Sequence, residues 1–306
     1  MNPKFTAAVL CLKLIHQGKT RDTFETRDSE TLLIVATNRL STHNVIHLSE
    51  VPHKGQVLTA LTIFWLKELL EKNRIKHHLI AYGTDIYKHL PGNRSDYPED
   101  LHYNAIIVKK LKMFPVEFIY RKYMTGSLFK NFYSKGLSNP YGLEIEPGLQ
   151  QMSEFGIPVF TPTDKSETDE PLNAKATREN YPSASVMSLE VFTLISDYLQ
   201  ELGLELVDSK FEIGVDNLEC VTIADEIATP DSSRFCEISE ITLGKEPSWL
   251  DKQVARDEAE KIWGKGEKHP LEFDCDIIRQ LSATYFGIFH RITGMKLQNF
   301  QHSVLS

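Results

Sequence analysis

The sequence is poor in the groups that staple or anchor a chain. Its four cysteines, Cys11, Cys220, Cys236 and Cys275, lie far apart and form no CxxC pair. Neither a zinc knuckle nor a disulfide framework is indicated, and a reducing cytoplasm fits best. Long apolar runs are also missing. Residues 1–4 do not open a signal peptide, and the most apolar stretch, residues 58–70, carries Lys67 and Glu68, which argues against a membrane span. Eleven histidines are scattered without HExxH or any other ligand spacing. Positive charge is in deficit: 34 Lys and Arg face 42 Asp and Glu, a formal net charge of -8. That balance opposes general attraction to nucleic acid, although a local basic pocket can still hold one small anion. No internal repeat and no low-complexity tract is present.

What the chain does have is apolar material. With 306 residues and 41% hydrophobic content, it can bury one large domain or two lobes without staples. Residues 5–37 alternate short β-branched and aromatic runs around Gly18 and predict an antiparallel β start. Leu58, Leu61, Phe64, Trp65 and Leu69 recur at helical spacing, so residues 57–70 suit an amphipathic helix with Lys67 and Glu68 outside, and a core helix is the preferred reading. Strands are expected at residues 79–82, 105–108 and 116–123, the last following Pro115. Residues 136–180, rich in Pro, Gly, Asn and Thr, read as loop. Ser188 is the expected N-cap of a helix that Gly203 stops, and helices over residues 252–262 and 274–292 close the chain.

Four segments can carry chemistry. In Gly18-Lys19-Thr20-Arg21-Asp22, a glycine turn sets Lys19 and Arg21 on one side at strand spacing, where two cations beside backbone N–H groups can hold a polyphosphate. No second glycine stands where a Walker loop needs one, and a solvated hairpin turn has the same composition. The second segment runs from Leu206 to Gly214, turns at Asp216-Asn217 and returns to Glu226. Alternation puts Asp208, Lys210 and Glu212 on one face and Val207, Phe211 and Ile213 on the other. A two-residue turn would set Asp225 opposite Asp208, and a wider one would slide it toward Lys210 or Glu212. Close carboxylates of this kind suit a hard cation such as magnesium, or else a solvated polar face. The third segment, Thr229 to Phe235, presents Asp231, Ser232, Ser233 and Arg234 from a proline-held turn, fit for a phosphate and sugar hydroxyls or for a plain Asx turn. The fourth, Arg121 to Ser127, places cations and hydroxyls around Gly126.

Seven collinear blocks give these segments a context: GKTRD, TNRLSTHNV with PHKGQVLTALTIFWLKEL, MFPVEFIYRKYMTGS, VFTPTDK, LVDSKFEIG, IADEIATPDSSRF and WLDKQVARD. In their order and over nearly the whole length, the chain resembles the SAICAR synthetases, the phosphoribosylaminoimidazole-succinocarboxamide synthases. The resemblance implies an α+β fold of two lobes, related in outline to kinase and ATP-grasp folds. An antiparallel sheet would form the ATP-binding lobe, residues 1–114, and residues 115–306 would complete the cleft with metal and substrate sites and the closing helices. It further implies a ligase of purine biosynthesis that uses ATP and magnesium to join L-aspartate to carboxyaminoimidazole ribotide through an acyl phosphate.

By the same resemblance, Lys19, Arg21 and Lys210 would contact ATP phosphates, and Lys110, Lys112 and Met113 would lie along the adenine. Glu212 and Asp225 would bind magnesium. Arg121, Ser127, Asp169, Asp208, Asp231, Ser232 and Arg234 would serve the ribotide and aspartate end. The chain departs from the family pattern at Asn38 and Asn44, where acids are usual, at His43 in place of an aromatic, and at Thr168 in place of a histidine. Two other functions share some of these features: a kinase-like phosphotransferase, which lacks support from any HRD or DFG element, and a non-catalytic nucleotide-binding derivative, suggested by the lost charges. Oligomeric state is not legible.

Overall fold

Thirteen strands dominate the computed structural model, which describes residues 5–166 and 168–306. Residues 1–4, on which the reading of the amino terminus rested, lie outside that range. The first strands follow the predicted β start: β1 (Leu14–Gln17), β2 (Arg21–Glu25) and β3 (Thr31–Ala36), preceded by one helical turn, α1 (Ala7–Leu10). Then come the hairpin β4 (Arg39–Thr42) and β5 (Val45–Glu50), helix α2 (Lys54–Phe64), β6 (Leu79–Tyr82), the short α3 (Leu101–Asn104) and β7 (Ala105–Lys109). An antiparallel sheet runs in the order β1-β2-β3-β7-β6. Phe24, Leu33, Val35 and Ile107 from its strands are buried with Leu10, Leu90 and Leu101.

Helix α2 is the core helix expected, with different bounds. It starts earlier, at Lys54, and is buried nearly all round, from Lys54 and Gly55 through Ile63, before widening over residues 65–71. A helix apolar on every side is a core helix. Its first turn fits tightly: a Cβ on Gly55 would lie 2.4 Å from the carbonyl oxygen of Ala36.

The second sheet is antiparallel throughout and is built on two twelve-residue strands, β8 (Lys112–Tyr123) and β11 (Leu204–Val215). Around them lie β9 (Glu154–Phe160), β10 (Thr163–Asp164), β12 (Val221–Ala224) and β13 (Ser233–Glu237). β11 is central, paired with β8 on one side and with β12 and β13 along the other. Pro115 sits within β8 where the register slips against β11 between Glu212 and Gly214, a place where a missing N–H does no harm. The loop expected over residues 136–180 contains β9 and helix α4 (Ala174–Asn180). Pro158 is tolerated there because β9 pairs only with β8.

Helix α5 (Pro182–Glu201) begins six residues before the expected cap: Pro182 takes the first turn, which needs no N–H. Ser188 is instead buried inside the helix, its hydroxyl donating to the carbonyl of Ala184. Gly203, at φ 75°, ends it as expected. Val191, Phe192, Ile195 and Leu199 form the buried stripe of α5, and Tyr120 stacks on Phe160 at 4.9 Å.

The chain closes with α6 (Gln253–Trp263), α7 (Cys275–Thr293) and α8 (Leu297–Phe300). Two compact units result: residues 1–68, 77–111 and 251–306 form one, and residues 69–76 and 112–250 the other. The closing helices therefore belong with the first sheet, whereas the sequence grouping placed them with the second. The apolar face of α7, with Leu281, Tyr285, Ile288 and Phe289, explains this, since α7 lies against α2. Among the described residues no helix is long and apolar enough to cross a membrane, and all four cysteines are free.

A buried histidine ties the first unit together. The Nδ1 of His47 accepts from the backbone N–H of Leu271 at 3.2 Å, and its Nε2 lies 2.8 Å from the Thr42 hydroxyl. One nitrogen accepting and the other donating is the neutral ring. Burial, helped by His43 and Lys252, lowers its pKa to about 4. Because the folded value lies below the unfolded one, the unfolded chain takes up the proton first as pH falls. Stability should therefore drop between pH values of roughly 6.5 and 4. Urea midpoints measured across that window should fall, and His47→Gln should flatten the curve; an unchanged slope in the variant would reject the assignment.

Candidate active site

In the second unit the polar face of β11 carries two ionic clusters. The first centres on Asp208. Arg121 of β8 lies opposite it in register and donates through Nη1 at 2.6 Å. Arg234 of β13 approaches from the other side, with Nε at 3.0 Å from Oδ1 and an Nη2 contact to Oδ2. Arg121 also donates to the hydroxyls of Thr161 at 2.9 Å and Ser127 at 3.3 Å. Trp249 lies under the Arg234 guanidinium at 5.2 Å. Gly126, at φ 61°, has no side chain because a Cβ would stand 2.3 Å from Arg234 Nη2. One buried carboxylate thus fixes two guanidiniums, an arrangement suited to gripping a phosphate or carboxylate.

The second cluster centres on Lys210, whose ammonium lies 2.8 Å from Glu117 and 3.0 Å from Glu212. Lys165 makes a further, short ion pair with Glu212. Burial alone would lower the pKa of Lys210, but the carboxylates of Glu212, Glu117 and Asp225 outweigh it and raise it above the ordinary lysine value. Burial likewise pushes Glu212 up, and Lys210 and Lys165 pull it well below the usual carboxylate range. Lys210 and Glu212 are therefore both charged at neutral pH.

The hairpin carrying these residues is wider than a two-residue turn. Val215 pairs with Val221 across residues 216–220, and Glu212 pairs with Ala224. The register is therefore the one that brings Asp225 toward Lys210 and Glu212, and away from Asp208. β12 ends at Ala224, and Asp225 adopts φ 58°, a left-handed conformation uncommon for a residue with a side chain. Among the described residues no group of three or more His, Cys, Asp and Glu is arranged as a metal cage. Magnesium asks for less, one or two carboxylates with phosphate and water completing its shell, and Glu212 with Asp225 fits that requirement.

Asp231 and Ser232 lie in the turn after Thr229, where the N–H of Asp231 donates to the Thr229 hydroxyl at 3.3 Å and Ser232 N–H to the Thr229 carbonyl at 3.1 Å. Asp169 is held in the loop after β10, at φ 51°. That loop is organised by Asp164, whose Oδ1 accepts from Ser166 N–H, the Ser166 hydroxyl and Glu170 N–H. Lys112 and Met113 are exposed at the start of β8.

In the first unit, Lys19 and Arg21 face outward while Thr20 and Asp22 are buried, the alternation read from the sequence. Lys110 is exposed just past β7, its N–H donating to the Glu30 carbonyl at 2.8 Å. Lys19 Nζ donates to Asn44 Oδ1 at 2.6 Å. Asn44 and His43, at φ 66° and 49°, are the two turn residues between β4 and β5. Asn38 Oδ1 accepts from the N–H of Gly55 at 3.1 Å, at the start of α2.

Three participants were not singled out from the sequence: Glu117, Lys165 and Arg39. Glu117 and Lys165 stand inside the blocks MFPVEFIY and VFTPTDK, so a signal was present. The partner of Glu117 on β11 was set by pairing between distant strands, and that of Lys165 by the loop after β10.

Comparison with known proteins finds relatives over nearly the whole chain. The family model described as SAICAR synthetase matches residues 14–271. The phosphoribosylaminoimidazole-succinocarboxamide synthase of Saccharomyces cerevisiae is 36% identical over 301 residues, covering 93% of this chain and 95% of the relative. The enzyme of that name from Syntrophobacter fumaroxidans is 33% identical over 295 residues, covering 94% and 95%. Among solved structures, the Saccharomyces cerevisiae SAICAR-synthase complexed with SAICAR superposes with a TM-score of 0.82 at 32% identity, covering 93% of this chain and 96% of that one. Another SAICAR synthase gives 0.83 at 31%, covering 97% and 99%.

The Asp208 cluster sets a direct test. Asp208→Ala would leave two facing guanidiniums without their shared carboxylate, and loss of one partner from a buried ionic network costs about 3–5 kcal/mol. Chemical denaturation should show a loss of that order; a midpoint within error of wild type would mean that Asp208 does not hold the two arginines.

Proposed function

The chain belongs to the SAICAR synthetase family, and we propose that it joins L-aspartate to carboxyaminoimidazole ribotide at the expense of ATP. It is a ligase of purine biosynthesis, and the reaction would proceed through an acyl phosphate. The observation that carries this reading is the Lys210 cluster, where three carboxylates and two ammonium groups from β8, β11 and the segments after β10 and β12 are gathered together. Structural ion pairs need no such excess of acids.

Glu212 and Asp225 would hold magnesium. When bound, that ion draws negative charge from the terminal phosphates and so eases phosphoryl transfer. Lys210, fixed between Glu117 and Glu212, has its charge guaranteed at neutral pH and would neutralise the transferring group. Lys19 and Arg21 would hold the phosphates, while Lys110, Lys112 and Met113 would border the adenine. Arg121 and Arg234, locked by Asp208, would orient the anionic ribotide, with Ser127, Asp169, Asp231 and Ser232 completing the substrate end. Holding the carboxylate and the amine in reacting positions supplies much of the rate.

The substitutions at Asn38 and Asn44 are compatible with turnover, because Asn38 caps α2 through its amide oxygen and Asn44 fits a left-handed turn position. Four free cysteines and a net charge of -8 suit a cytoplasmic enzyme whose partners are small molecules and not nucleic acid.

ADP release should require ATP, magnesium, the ribotide and aspartate together. Release that ignores aspartate would instead favour a phosphotransferase. Glu212→Gln or Asp225→Asn should lower turnover by at least ~100-fold, as expected for groups that act on the transition state; Glu212→Gln should also lower the thermal midpoint, because it removes the carboxylate that Lys210 and Lys165 share. Wild-type kinetics in both variants would sink the metal assignment.

A further inference from the structure

The turn that follows β1 is shaped by a side chain from elsewhere in the chain. Gly18 N–H donates to the Arg21 carbonyl at 2.8 Å, and a Cβ on Gly18 would lie 2.7 Å from that same oxygen. The turn therefore closes only around a residue without a side chain. Its remaining geometry is set by Arg39 at the start of β4. The guanidinium donates through Nη2 to the Gly18 carbonyl at 2.9 Å and through Nε to the Lys19 carbonyl at 3.2 Å. It also grips Asp22 with a fork, Nη1 at 2.9 Å and Nη2 at 2.7 Å.

Arg39 is itself held in place. Its own carbonyl accepts from Lys54 Nζ at 2.8 Å, and Lys54 is fully buried in the first turn of α2. Next to it, Thr37 donates through both its N–H and its hydroxyl to the Thr20 carbonyl, each at 2.8 Å. Arg39 and Asp22 are buried together, so the arginine's charge is already balanced inside the protein. A guanidinium so matched contributes geometry and little net attraction for an anion.

That geometry has a consequence fixed by the peptide group. In a trans peptide the carbonyl of one residue and the N–H of the next point in opposite directions. Drawing the Gly18 and Lys19 carbonyls onto Arg39 therefore aims the N–H groups of Lys19 and Thr20 the other way. Paired backbone donors beside a lysine form an anion-binding concavity.

We propose that Arg39 is a positioning residue for phosphate recognition: by holding two carbonyls of the Gly18 turn, it directs the N–H groups of Lys19 and Thr20 toward the phosphates of the nucleotide. The proposal rests on the reading above that this turn meets ATP. Lysine cannot replace arginine here, since one ammonium cannot span two carbonyls and a carboxylate in a fixed plane.

The test uses the full chain with magnesium and measures affinity for ADP by calorimetry and for adenosine by competition. Arg39→Lys should weaken ADP about tenfold, the scale of one charge-assisted hydrogen bond, and leave adenosine within twofold. General damage to the fold would weaken both equally and overturn the proposal. Lys19→Ala in parallel tests the underlying reading. If it leaves ADP affinity unchanged, the turn does not meet phosphates and both ideas fall. If it weakens ADP while Arg39→Lys does not, the turn binds phosphate and only the role of Arg39 is overturned. Should Arg39→Lys fail to fold, Asp22→Asn keeps the shape of the arginine's partner while removing its charge. It should weaken ADP selectively, and unchanged ADP affinity there would also overturn the proposal.

Discussion

A charge taken out of water must find its opposite, and this constraint organises both units of the protein. On β11 the requirement is severe, because residues 204–209 are all buried and the strand is paired on both sides. Asp208 is compensated by Arg121 and Arg234, and Lys210 by Glu117 and Glu212. In the first unit Asp22 is compensated by Arg39. Apart from Lys210 and Glu212, which are neighbours on β11, each pairing joins residues on different strands, so sheet register and charge balance specify one another. A one-residue slip of β8 against β11 would turn Arg121 and Glu117 to the opposite face and leave Asp208 with Arg234 alone and Lys210 with Glu212 alone.

That dependence explains what the sequence could disclose. Period-two alternation identified the acidic and apolar faces of residues 206–214, since that pattern needs no partner strand. The strands at residues 79–82 and 105–108 and the two closing helices were legible for the same local reason. The start of α5 was missed because Ser188 resembles a cap, while the working signal was Pro182 at the first turn. The strand β9 was hidden by Pro158, which only an edge position accommodates. Arg39 and Glu117 gained their roles from neighbours set by tertiary pairing, and no local pattern announces such a partner. Lys165 owes its place to the loop that Asp164 organises.

The departures from the family pattern have local physical causes. The turn between β4 and β5 needs positive φ at both of its residues. Asparagine tolerates this conformation well, because its short polar side chain is one of the few that do. At Asn38 the amide oxygen meets the Gly55 N–H without a negative charge. Lys19 is paired with a neutral amide and not with a carboxylate, so its positive charge is not cancelled at that contact. The losses of charge that suggested an inactive derivative therefore leave the Gly18 turn more cationic than an acid at position 44 would.

The Lys210 cluster is also costly in ways that packing alone does not explain. Buried ion networks are often no more stable than well-packed apolar residues of the same volume. This one adds backbone strain: Asp225 and Ala228 take φ of 58° and 44°, a region that residues with side chains rarely enter. The strain falls one residue past the end of β12, so Asp225 comes near Lys210 by leaving the strand and not by continuing it. A sheet selected for stability alone would have ended β12 in an unstrained turn with a polar residue facing water. Three acids, two ammonium groups and a strained backbone at one place mark charges fixed for a function and not for stability.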